Sequence, residues 1–182
     1  SKWAGKTMKD RGFSLIELMI GIAVVAILLV LAVPSFREFR ERQSLRGAAD
    51  NFIFALGQAK EEAIKRDDWV RVDFRQMGTG VCMGAVVVAT PATAGCDCSS
   101  QACAIAKFPE VVGDLKNVTL SGGIAFGAAG SGFVIDPKTG TLADIATTGG
   151  FNLTTASGYA VRINVNAMAR PQICTPAGAT KS

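Results

Sequence analysis

An apolar run from Leu18 to Val33 follows Gly12-Phe13-Ser14-Leu15-Ile16-Glu17 and stops at Pro34. No other feature constrains the fold so strongly. From Phe13 to Val33, a helix rising about 1.5 Å per residue covers roughly 30 Å, the thickness of a bilayer's hydrocarbon core. One carboxylate, Glu17, interrupts the run. A charge inside a membrane helix costs about 2.5–3.5 kcal/mol on insertion scales, so Glu17 calls for a function.

Two simple explanations fall short. A secretory signal needs a short apolar core and a small-residue cleavage site. Lys2, Lys6, Lys9 and Arg11 supply its basic part. The run is long for that role, however, and Leu31-Ala32-Val33-Pro34 is a poor cleavage site. A plain membrane anchor accounts for the length and leaves Glu17 unexplained.

The stretch from Gly12 to Glu17, with the run behind it, resembles the class III signal of type IV pilins and type II secretion pseudopilins. The resemblance implies cleavage after Gly12 by a prepilin peptidase and methylation of the new amine on Phe13. It implies that Glu17 neutralises the terminal amine of a neighbouring subunit during assembly, and that Pro34 is the family's kink-forming proline. Both charges are costly in lipid unless paired, so pairing between subunits rewards assembly. Arg37, Arg40, Arg42 and Arg46 beyond the run match the four basic residues before it, so the positive-inside count is a tie. The resemblance places residues 1–12 in the cytoplasm, a single span in the inner membrane and the domain in the periplasm, with the cell-surface filament as its destination.

The formal charge of +4 misleads unless the leader is set apart. Residues 1–12 hold four of the 19 basic residues and one of the 15 acidic ones, which leaves +1 on the rest. The basic balance is therefore poor support for nucleic-acid binding. Histidine is absent, which removes the commonest general base and metal ligand.

After Pro34 the pattern stays helical and turns amphipathic. Glu38 with Arg42, Glu61 with Lys65 and Glu62 with Arg66 place acid before base at i,i+4. Ala49, Phe52, Ile53, Leu56, Ala59 and Ala63 keep a helical rhythm, with Gly47 a soft point. One long helix to about Arg66 is expected, membrane-embedded over 13–34 and packed on a domain over 35–66. From Asp67 the character changes. Trp69–Arg75 alternates as a half-buried strand should, and Val81–Ala89 is a second apolar run. Short strands are expected at Val118–Leu120, Ile124–Phe126, Phe133–Ile135, Phe151–Thr155 and Tyr159–Val165. Turns at Asp136–Gly140 and Ser157-Gly158 separate the later ones. The fold class is α+β: a long N-terminal helix laid on an antiparallel sheet or small sandwich over 67–182.

The order Ile124-x-Phe126, Gly132–Ile135, Thr139-Gly140-Thr141, a late strand and a terminal Ile173-Cys174 resembles the H-type pseudopilin domain. That domain is shared by the type II secretion minor pseudopilin and the FimT and FimU minor pilins. The implied function is a minor pilin that primes or caps a type IV pilus, with a type II secretion subunit as the alternative. The implied partners are other major and minor pilins.

Five cysteines in such a compartment suggest disulfides. The expected pairs are Cys96 or Cys98 with Cys103, and Cys82 with Cys174. A zinc site from Cys96, Cys98 and Cys103 lacks histidine and paired C-x-x-C spacing. No cofactor or metal is expected. The glycines from Gly127 to Gly132 precede no Lys-Ser/Thr, so they form no phosphate loop. Asp136–Gly140 has too few carboxylates for calcium. No Ser or Cys has a His partner, and an enzyme is not expected. A FimT-like resemblance brings in one further partner, DNA. Of its Gly-Arg-x-Arg pattern, Ala169-Arg170-Pro171-Gln172 keeps only Arg170. From Ile145 to Ser182 the chain nevertheless holds Arg162, Arg170 and Lys181 and no acid, enough for weak, salt-sensitive phosphate contact.

Overall fold

The structure, a computed structural model, describes residues 13–100, 103–110, 115–127 and 130–179, and only the backbone of residues 31–34. Gly12 and Lys181 lie outside the described residues, as does the side chain of Pro34. The chain divides into two units, Ser1–Glu38 and Phe39–Ser182.

Helix α1 runs from Leu15 to Arg66, its part up to Glu38 belonging to the first unit and the rest to the second. It passes through Gly47 without a break. Among the described residues, no single helical piece is long and apolar enough to cross a membrane. Leu15–Val30 and Ser35–Arg66 meet that test only as a pair.

In the second unit α1 buries Leu45, Ala48, Ala49, Phe52, Ala55, Leu56, Ala59 and Ala63. Five of these eight are alanine, and such small side chains let a helix lie close to a sheet. Ile53, assigned to this stripe in sequence, is only half-buried, because it sits at the stripe's margin. The last turns are held by Arg66 Nε donating to Glu62 at 2.7 Å and by Lys65 beside Glu61 at 3.6 Å. Asp67 ends the helix with φ of 52°.

Eight strands follow: β1 Trp69–Met77, β2 Gly80–Val88, β3 Ala106–Phe108, β4 Thr119–Phe126, β5 Gly132–Ile135, β6 Gly149–Thr154, β7 Ala160–Val165 and β8 Pro171–Cys174. They make two four-stranded antiparallel sheets, ordered β3-β2-β1-β5 and β4-β6-β7-β8. The fold is α+β. Both sheets and the helix share one core, in which Phe74 stacks on Phe126 with ring centroids 4.8 Å apart. Phe151 bridges Phe74 and Phe52, its ring centroid 5.2 Å from each.

The structure revises several expectations. Val118–Leu120 and Ile124–Phe126 are not separate strands. They merge into β4, whose register slips between Ser121 and Ala125, where Gly122 adopts φ of 77°. Asp136–Gly140 does form a turn, with Gly140 N donating to Asp136 O at 2.8 Å. Beyond that turn, Leu142 forms a single bridge to Ile135.

Candidate assembly site

From Leu15 to Val30, α1 presents a bare apolar surface. Large side chains from Leu15 to Val30 are all at least half exposed, and Phe13 is 79 % exposed. An apolar surface of that extent marks a membrane or protein contact. Glu17 stands in the helix's first turn, where the partial positive charge of the unpaired amides favours a carboxylate. Its side chain is exposed, and it has no ion pair among the described residues. Phe13 lies four residues before it, and the first helical bond runs from Leu18 N to Ser14 O at 3.1 Å.

The second unit carries the cysteines. Cys82 pairs with Cys98 and Cys96 with Cys103, across Cα separations of 6.0 and 5.8 Å. The Cys82–Cys174 pair expected from sequence is not formed. Cys174 is an exposed free thiol. The reason is topological: Cys82 lies in β2 of the first sheet and Cys174 in β8, the edge of the second. Gly84 makes room for the bridges, since a Cβ there would overlap Cys103 Sγ. Peptide mapping without reduction should therefore recover the two intrachain bridges and one thiol, on Cys174, that alkylates in the native protein. Cys174→Ser should shift stability by less than about 0.5 kcal/mol, as surface substitutions usually do.

Sequence reasoning missed one buried charge. Asp73 is 3 % exposed, although the alternation in β1 assigns it to the solvent side. The disulfide-bonded loop covers that side. Arg71 Nε reaches both Asp73 oxygens, at 3.2 and 3.0 Å, while its Nη1 donates to Pro91 O and Thr93 O at 3.4 Å. Gly95 packs against the carboxylate so closely that a Cβ would overlap it. The pair thus latches the Thr90–Gly95 stretch to the sheet. The only signal in the sequence was an acidic residue in a strand whose outer face the cysteine loop could cover.

Arg162 and Arg170 do not converge. Arg162 sits on β7 opposite Cys174, its Nη1 donating to Asn152 Oδ1 at 3.2 Å. Arg170 lies in the turn before β8, where Asn166 Oδ1 accepts from the amides of Met168 and Arg170, each at 3.0 Å. Four ladder positions separate the two arginines, about 13 Å. Pro171 opens β8 on the sheet edge, where its missing N–H costs least. No cluster of three or more His, Cys, Asp or Glu that could hold a metal occurs among the described residues.

Two family models match the chain. The prokaryotic N-terminal methylation motif covers residues 7–33, and the type II transport protein GspH covers residues 48–169. A stretch of 60 residues is 44 % identical to the type IV major pilin protein PilA of Myxococcus xanthus (strain DK1622), covering 33 % of this chain and 27 % of that one. A stretch of 55 residues is 39 % identical to a fimbrial protein of Pseudomonas aeruginosa, covering 30 % of this chain and 35 % of the relative. The matched stretch is thus about a third of these relatives' length or less. No solved structure matches.

Proposed function

Because the chain belongs to the type II transport protein GspH family and bears the prokaryotic N-terminal methylation motif, we propose that it is a minor subunit priming or capping a type IV pilus. A pilin or pseudopilin role in building a pilus or secretion fibre follows from the family itself. The N-terminal helix suits membrane anchoring, and assembly with other pilins goes with that role. The finer reading adds cleavage after Gly12, methylation of Phe13, a periplasmic domain and insertion of residues 13–34 among other subunits' helices.

One observation carries it: an exposed apolar stretch of α1, Leu15–Val30, whose lone carboxylate lies four residues from the amine that cleavage would create. In lipid each charge is a liability and together they are a contact. Mass spectrometry of the membrane-extracted protein tests the reading. The expected N-terminus is methylated Phe13. An intact leader, or an end at another residue, would refute it.

A type II secretion minor pseudopilin is the second reading, favoured by the description of the matched family. Co-purification with sheared pili, or instead with a secretion complex, separates the two.

A further inference from the structure

Val70, Val72 and Phe74 turn β1 toward the shared core, so the alternate positions of the first sheet face away from it. Sulfur collects on that outer face. Met77, Cys82 and Cys98 form a small buried cluster, and Cys103 packs against it. A Cβ on Gly84 would meet both Cys103 Sγ and Cys98 Cβ, so the two bridges lie side by side over β2.

The bridges are neighbours but not equivalent. Cys82 and Cys98 are both fully buried. In the other bridge Cys96 is buried, at 7 % exposed, while Cys103 is half-buried and the most accessible of the four bridged cysteines. A disulfide is opened by a thiolate that attacks one of its sulfurs, so access decides which sulfur reacts. A buried sulfur is reached only when the surrounding structure opens locally. Cys103 Sγ needs less opening than any of the other three.

We infer that Cys103 is the entry point for thiol–disulfide exchange with an external dithiol, which makes Cys96–Cys103 a reversible clasp and leaves Cys82–Cys98 as the permanent tie. The incoming thiolate bonds to Cys103 Sγ. The Cys96–Cys103 bond breaks, its electron pair goes to Cys96 and the new thiolate takes up a proton. The partner's second thiolate then attacks its own sulfur in the mixed disulfide. Cys103 leaves as a thiolate, and the partner is oxidised to a disulfide as the bridge is reduced. Opening removes one covalent closure and little else. Arg71 still latches the Thr90–Gly95 stretch, and Cys82–Cys98 still ties the start of the loop to β2. Cys103 stays against the inner cluster, so an oxidant of the same class recloses the clasp.

The test uses the full chain in detergent, carrying Cys174→Ser so that its thiol cannot compete. Reduced glutathione is the probe, because a monothiol stops at the mixed disulfide long enough for an acid quench to trap it. Peptide mapping without further reduction should find glutathione on Cys103 and a free thiol on Cys96. The Cys82–Cys98 bridge should open at least about tenfold more slowly. Replacing reduced by oxidised glutathione should restore Cys96–Cys103. Glutathione on Cys96 would overturn the entry point. Equal rates for the two bridges would overturn the division between clasp and tie, since both would then follow unfolding of the whole unit. A Cys96–Cys103 bridge that outlasts Cys82–Cys98, or that recloses with other partners, would overturn the clasp itself.

Discussion

Glu17→Ala should leave the protein in the membrane and remove it from fibres. Deleting the carboxylate makes insertion easier, by about 2.5–3.5 kcal/mol on insertion scales. On the proposed reading it also strands the neighbouring amine in an apolar environment. Breaking one side of a buried charge pair costs about 3–5 kcal/mol, a loss of roughly two to four orders of magnitude in the assembly equilibrium. Immunoblots of membrane and sheared-fibre fractions measure both effects at once. Glu17→Asp, which keeps the charge on a shorter arm, should assemble partly. Wild-type amounts of Glu17→Ala in fibres would mean that the pair does not drive incorporation.

Phe74→Ala should be the most damaging single change in the second unit. The ring is fully buried and touches Phe126, Phe133 and Phe151, so it ties β1 to β4, β5 and β6. Truncating a buried phenylalanine costs about 3–5 kcal/mol. Against a typical stability of about 5–15 kcal/mol, that is about a fifth of the total or more. Phe54→Ala is the internal control. Its ring is 66 % exposed, and the expected change is within about 0.5 kcal/mol. Denaturant unfolding of the full chain in detergent, followed by tryptophan fluorescence, compares the two. Equal midpoints for both variants would contradict the packing described here.

The long helix was legible because its signals are local. The apolar run, the i,i+4 ion pairs and the spacing of Ala49, Phe52, Leu56, Ala59 and Ala63 each lie within a few turns of one another. Their sum fixes the end near Arg66. Strands β1, β2, β6 and β7 were legible for the same reason, each being a continuous run bounded by turn residues. What failed depends on contacts between distant parts. Strand β3 has three residues, too few for a period, and exists because β2 offers it an edge. Asp73 is buried by a loop some twenty residues downstream. The cysteine pairing needed the knowledge that β2 and β8 belong to different sheets. At the assembly site, Glu17 could be singled out from the cost of its charge alone.

The two bridges interleave along the chain, Cys82 to Cys98 enclosing one end of Cys96 to Cys103. A protease that cut the exposed peptide between Thr90 and Ala94 would therefore sever the backbone without releasing a fragment. The cut halves would stay joined through sulfur and would part on a gel only after a reductant was added.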